Sequence, residues 1–270
     1  MTAAPGRPDF LALYVSRAPL ALALERVQEC RILSAKEFDR PILDLGCGDG
    51  VFAEVFFQEP VDYGLDPDPA GIKRARGTNR YLRLFNSGGN SIPLDDSSVG
   101  TIVCNSVLEH IPDIDPVLGE SARILKPGGR FYLTLPTDHF DRNTWISVAL
   151  EFAGLSVAAA SFRRLYNRFW HHHHAHDIPG WTSIFERNGL RVSDCLPYAS
   201  RRQCLIDDAL IIPALPAFIA KKILGRWSWF PRLRRLAVPL ILPIADRLLD
   251  PPRQPVTDRP GLVFFELTRG

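Results

Sequence analysis

The sequence has no Cys-x-x-Cys pair, no apolar run of membrane-spanning length and no marked excess of either charge. Its five cysteines, Cys30, Cys47, Cys104, Cys195 and Cys204, are odd in number and scattered. That pattern argues against a disulfide framework and for free thiols in a reducing compartment. A net charge of +2 makes no electrostatic case for nucleic acid, whose binders concentrate basic residues on one face. No stretch reaches the ~18 continuous apolar residues of a spanning helix. Residues 1–17 lack the basic start, apolar core and cleavage site of a secretory signal. There is no internal repeat, and 270 residues suffice for one large domain with insertions. These absences lead to an expected cytoplasmic location.

What is present begins at Ile42-Leu43-Asp44-Leu45-Gly46-Cys47-Gly48-Asp49-Gly50. A buried strand over 41–45 breaks into three glycines at alternate positions, and a helix-competent run, residues 51–57, follows. Strand, glycine turn and helix place a tight loop against a helix N-terminus, where free N–H groups are expected to point outward. The dinucleotide fingerprint needs G-x-G-x-x-G, whereas this chain has G-x-G-x-G with Asp44 and Asp49 beside it. Two carboxylates would repel a pyrophosphate. They suit a ligand carrying an ammonium and a sulfonium, which describes S-adenosylmethionine. A second strand, 61–65, ends in Asp66, ~20 residues after the glycines, where a nucleoside ribose is held by its hydroxyls. Asp68 is the better cap for the helix that follows.

The run D-L-G-C-G-D-G resembles motif I of the class I S-adenosylmethionine-dependent methyltransferases, of the type 11-like family. Three further segments are similar to that family's pattern: Val61–Pro69, then Ser91–Val99 with Thr101–Asp113 (reading S-V-L-E-H-I-P-D), then Arg123–Pro136 (reading L-K-P-G-G before a strand). Together they cover roughly residues 40–137. The resemblance implies an α/β, doubly wound, seven-stranded mixed sheet of Rossmann-like class, with helical insertions and a last strand antiparallel between strands five and six. It also implies S-adenosylmethionine held by Asp44, Gly46, Cys47, Gly48, Asp49, Gly50, Asp66, Pro67, Asn105 and Ser106. Relatives place an acid ahead of the "L-P-F" stretch to meet adenine. Here Asn86–Asn90 has none, so backbone groups at Gly88 and Gly89, or the Asn90 amide, are expected to replace it. Val99-Gly100 stands where Phe-Asp is usual, a change expected to affect packing more than chemistry.

The organisation expected is one domain with four parts. Residues 1–38 form an N-terminal helical cap and 39–137 the cofactor core. Residues 138–180 are an insertion carrying the cluster His171–His174 and His176, and 200–258 a second, helical insertion. Strands are expected at 80–85, 100–105, 130–135, 190–196 and 261–268, with a helix at 179–188. In the second insertion the apolar blocks 209–220 and 236–245 flank Trp227, Trp229, Phe230 and six cations. The segment is either a lid packed on the domain or a membrane-interfacial element through 209–245. A lid forming an apolar tunnel for a lipid-linked substrate combines the two. The interfacial alternative would place the protein at the inner membrane face. Pro213, Pro216, Pro239 and Pro243 are expected to break the apolar blocks.

Methyl transfer to a hydroxyl needs alignment and a base, for which histidine is suited near neutral pH. The candidates are His110, His139 and the cluster His171–His176, in which His172 and His174 are the favoured members. Asn167-Arg168 and the histidines after it resemble a family segment that reaches the substrate mouth. Glu109 and His110 alone are too few to assign a metal, and the histidine cluster lacks carboxylate or thiolate partners, so no metal is expected. The resemblance to surface-polysaccharide relatives implies O-methylation of a saccharide or lipid-linked glycan. A natural-product hydroxyl or amine is the alternative acceptor. A non-catalytic binding protein on the same fold and, more weakly, a nicotinamide-dependent oxidoreductase are the rivals. The acceptor atom and the oligomeric state are not legible.

Overall fold

A computed structural model describes residues 9–251 and 254–270. Two N-terminal helices, α1 (Phe10–Arg17) and α2 (Leu20–Leu33), precede the sheet. Asp9 caps α1 by accepting from the Ala12 N–H at 3.0 Å. The strands are β1 (Ile42–Leu45), β2 (Val61–Asp66), β3 (Tyr81–Asn86), β4 (Val99–Asn105), β5 (Leu125–Pro136), β6 (Leu190–Tyr198) and β7 (Leu262–Arg269). They form one sheet in the order β3-β2-β1-β4-β5-β7-β6. The first five pair in parallel, and β7 runs antiparallel to both β5 and β6. This is the doubly wound mixed sheet expected from the sequence.

Helices α3 (Val51–Phe56), α4 (Pro69–Gly77), α5 (Asp115–Ile124) and α8 (Ile178–Arg187) connect strands. Alternation along each strand divides its side chains between two cores. Leu43, Leu45, Phe265 and Leu267 enter one, with Trp181 and Phe185 of α8. Ile42, Val61, Tyr132 and Phe264 enter the other, beneath α3. Burial on both faces is why these strands read as near-continuous apolar runs.

The first insertion forms α6 (Trp145–Phe152) and α7 (Ser156–Trp170). The second forms α9 (Arg201–Ala209), α10 (Ile211–Leu224) and α11 (Pro231–Leu248). The prolines do not break these helices, contrary to expectation. Pro216 lies inside α10, and Pro239 and Pro243 lie inside α11. Pro213 sits in the first turn of α10, where its missing N–H has no helical acceptor to serve. The other three face outward, so the carbonyls they leave unpaired remain open to solvent. Side chains of α11 join Phe10, Tyr14, Leu24 and Val27 in a third core, so the second insertion packs on the N-terminal cap.

Candidate functional site

The strand β1 delivers Asp44 and then turns sharply at Gly46, where φ is +80° and a Cβ would lie 2.5 Å from a Val107 methyl. Only glycine meets both conditions. The turn uses most of its own donors. Gly46 and Cys47 N–H bond the Leu65 carbonyl, Gly48 N–H bonds Asp66 Oδ2 at 2.9 Å, and Gly50 N–H bonds the Cys47 carbonyl. Val51 N–H bonds Asp49 Oδ1. The expectation of free, outward N–H groups is therefore corrected at these positions. The loop offers shape and carboxylates rather than an anion-binding nest, which disfavours a pyrophosphate.

Asp66 ends β2 as expected, its two oxygens accepting from Gly48 and Asp68 N–H. Asp68 caps α4. Asn86 Nδ2 donates to the carbonyls of Asp66 and Pro67, both at 3.0 Å, joining the ends of β2 and β3. Gly88, Gly89 and Asn90 follow just after β3. Gly89 packs against Val117, and Asn90 Oδ1 lies over Gly88.

The loop borders a cavity of about 420 Å³, within the usual range of small-molecule sites. Asp44, Gly46, Cys47, Gly48, Asp49, Asn105 and Ser106 line it; Asp66, Pro67, Gly50, Gly88, Gly89 and Asn90 do not. Asp44 accepts from the Tyr81 hydroxyl at 2.6 Å, and burial pushes its carboxyl up to about 7. Burial likewise raises Glu109 to about 8, and Glu109 Oε2 has no partner. Asp49 is bonded by Lys221 of α10, so the insertion clamps the cofactor loop. Burial lowers Lys221 to about 8.

Asn105 and Ser106 serve a buried carboxylate that the sequence did not reveal. Glu29 of α2 is fully buried and accepts from Asn105 Nδ2 at 2.6 Å, Ser106 Oγ at 2.9 Å and Arg26 Nη1 at 2.8 Å. Ser106 adopts φ +52°, the left-handed region, at the end of β4. Arg26, Glu25 and Tyr14 complete this wall, and the buried Tyr14 hydroxyl is unpartnered.

The histidines separate. His110 lies in the short 3-10 turn Leu108–His110 after β4. Its Nδ1 is 3.3 Å from the His171 carbonyl. A carbonyl only accepts, so Nδ1 carries the proton and Nε2 is the free base, 3.9 Å from Glu109 Oε1. His171 ends α7 with φ +56°, and the chain then turns His172 into the cavity. The two rings lie 5.1 Å apart. Burial lowers both histidines, His172 to about 4. His174 is a correction. Its Nε2 bonds the carbonyls of Ile111 and Pro112 at 2.9 and 3.2 Å, and it does not line the cavity. Two carbonyl acceptors outcompete an outward orientation, so His174 ties the insertion to the loop after His110. Among the described residues, no group of three or more His, Cys, Asp or Glu is placed to hold a metal ion.

Residues 43–133 match the family model of the methyltransferase domain. An uncharacterised methyltransferase of Mycobacterium sp. (strain JLS) is 36% identical over 91 residues, 33% of this chain and 36% of that one. The matched stretch thus spans about a third of that relative. Another, of Mycobacterium avium (strain 104), is 29% identical over 74% of each chain. Among solved structures, an S-adenosylmethionine-dependent methyltransferase of Thermotoga maritima superposes with a TM-score of 0.57 at 13% identity, over 93% of this chain and 92% of that one. Residues 43–133 thus form a methyltransferase domain, on the fold shared by S-adenosylmethionine-dependent methyltransferases. Geranyl diphosphate C-methyltransferase of Streptomyces coelicolor A3(2), solved with Mg2+, geranyl diphosphate and S-adenosyl-L-homocysteine, shares the fold at TM-score 0.54 and 13% identity, over 93% and 82% of the two chains.

The residues of this methyltransferase domain fit the cofactor its family implies. A Cβ at Gly48 would meet nothing within 4 Å, so the loop leaves open space for a ligand. Orphaned polar atoms at Tyr14 and Glu109 line the cavity beside Arg26 and Asp44. A cation among carboxylates matches a zwitterionic amino-acid end. Sequence reasoning missed Tyr14, Glu25, Arg26 and Glu29. Their one signal was the run of three charges, Glu25, Arg26 and Glu29, in an otherwise apolar helix.

Proposed function

We propose that this methyltransferase uses S-adenosylmethionine to O-methylate a saccharide, free or carried on a lipid. The observation that carries the reading is one cavity joining the glycine loop to His110 and His172. Asp44, the loop Gly46–Gly48, Arg26, Tyr14 and Glu109 would hold the amino-acid end, and Asp66 with Gly88–Asn90 the nucleoside. When bound, S-adenosylmethionine supplies an electrophilic methyl group. His110 Nε2 takes the proton of the acceptor hydroxyl as the new carbon–oxygen bond forms, and Glu109 beside it favours the resulting imidazolium. His172, kept neutral, accepts a hydrogen bond that orients the acceptor. Phe140, Tyr166, Trp170, Phe218 and Trp227 line the same space. Their rings pack on apolar sugar faces and exclude water. Asp207 and Asp208, also in the lining, accept from sugar hydroxyls.

The test has two stages. Calorimetry with S-adenosylhomocysteine should show binding, and its absence removes the cofactor assignment. A labelled methyl donor, incubated with the protein and fractionated cell extract, should then label saccharide in the aqueous or lipid phase. Label confined to aromatic or amine-bearing metabolites would replace the saccharide reading with the natural-product one. His110→Ala should lower kcat by about 10²–10⁴ while S-adenosylhomocysteine affinity stays within a few fold.

A further inference from the structure

The second insertion exposes apolar side chains on two of its helices. On α10, Ile212, Leu215, Ile219 and Ile223 are exposed; on α11, Leu233, Leu236, Leu240 and Ile244 are exposed. Each set recurs at i, i+3, i+7 and i+11, which makes one stripe along a helix. The inward sides are held separately. Phe218 and Lys221 of α10 face the cavity and its loop, and Ala245 of α11 packs with Phe10 and Tyr14 of α1. A surface stripe of this kind marks an interaction site.

Charge decides the occupant. Residues 209–245 contain six cations and no acid. Lys221 and Arg234 turn inward, to Asp49 and to the carbonyls of Val15 and Ala18. Lys222, Arg226, Arg232 and Arg235 are exposed, and none belongs to an ion pair among the described residues. A second copy docking this face on itself would oppose cations to cations. Among the described residues no single helix is long and apolar enough to cross a membrane, and α9 with α10 is bent by 56°. Trp229 and Phe230 are exposed at the turn between the stripes, next to Arg226 and Arg232. Aromatic rings beside cations suit the headgroup zone.

We infer that α10, the following turn and α11 dock this protein on an anionic lipid bilayer, lying in the plane of the headgroups. The cavity lies directly beneath, because Phe218 and Trp227 of the same segment line it. The docked face would therefore bring the cavity to a lipid-borne acceptor; that route alone rests on the methyl-transfer reading, and docking does not.

The experiment is flotation of the full chain with vesicles of phosphatidylcholine alone, or with about one part in four phosphatidylglycerol, at low and high salt. Binding to the anionic vesicles only, weakened by salt, is the expected result. Replacing Lys222, Arg232 and Arg235 by Gln should weaken it by about fivefold for each cation removed, on the order of a hundredfold together. Leu236→Glu with Leu240→Glu should abolish it. Both variants change exposed side chains, and unchanged S-adenosylhomocysteine binding checks that they fold. No binding to anionic vesicles, equal binding to both compositions, or variants that bind as the parent does would each overturn the inference. Loss of a dimer in the leucine variant without vesicle binding by the parent would assign the face to a second copy. Vesicle binding with no cofactor binding would leave docking intact and remove the enzyme reading.

Discussion

Asp44 and Glu109 sit in the same cavity wall with carboxyls raised to about 7 and about 8, chiefly by burial. Near neutral pH the empty site therefore holds protons that the unfolded chain has lost. Stability from these groups is fully present at low pH and falls as pH rises through their folded values. The depressed histidines act in the opposite sense below their ordinary value of 6.5, and Lys221, lowered to about 8, does so above about pH 8, so between pH 6.5 and 8 the raised carboxyls of Asp44, Glu109 and Glu25 dominate. Thermal unfolding of the ligand-free protein should show Tm falling across that window, with a slope of at most ~1.4 kcal/mol per pH unit for each group. Asp44→Asn should make it shallower, the remainder coming from Glu109 and Glu25, and a Tm that rises instead would contradict the burial. A cationic ligand reverses the preference, so S-adenosylmethionine should bind more tightly as pH rises from 6.5 to 8, releasing protons measurable by calorimetry in two buffers. Glu29 tests the network behind this wall. Glu29→Ala leaves Arg26 with only its longer carboxylate contact, to Glu25 at 3.8 Å, and several buried donors unpaired, and urea unfolding should register a loss of ~3–5 kcal/mol. Asp44 was legible because its glycines follow it directly. Glu29 was not, because its partners Asn105 and Ser106 lie 76 and 77 residues away and no local pattern announces them.

At the scale of elements, the strands and the helices between them followed from period and punctuation within a few residues, except that β5 begins at Leu125 and takes in the L-K-P-G-G segment expected as a turn before it. Helices α10 and α11 did not, because four prolines within two apolar blocks normally stop a helix. The placement overrides that tendency. Exposed prolines leave their unpaired carbonyls wet, and inward side chains anchor both helices by tertiary packing. The histidine run shows the same limit. Sequence marked it as a unit, yet a left-handed residue at His171 and two carbonyls near His174 send neighbouring rings to different tasks. The link between α10 and the glycine loop is the Lys221–Asp49 pair, with Lys221 also 5.0 Å from the Trp227 ring centre. Breaking it should loosen the lid without touching the sheet. Lys221→Ala should raise amide hydrogen exchange over 211–224 by about tenfold, the size of a partly buried ion pair, while β4 and β5 exchange as before. Equal acceleration throughout would mean that α10 opens only when the whole domain unfolds.

For the molecule as a whole, the order β3-β2-β1-β4-β5-β7-β6 places the last strand in the chain inside the sheet. Strand β7 pairs with β5 over Arg130–Pro136 and with β6 over Leu190–Tyr198. It also supplies Val263, Phe265 and Leu267 to one core and Leu262 and Phe264 to the other. Each such side chain contributes about 1.5–3 kcal/mol when buried, so the five together approach or exceed the whole 5–15 kcal/mol that holds a typical domain folded. Removing them would also leave β5 and β6 with unpaired edges. The methyltransferase domain matched over residues 43–133 thus depends on a strand far outside that stretch. A chain ending at residue 258 should lose its cooperative thermal transition and its cofactor binding together, and adding a peptide of residues 259–270 should restore part of both. A truncated chain that still melted cooperatively near the parent's Tm would show that the domain folds without β7.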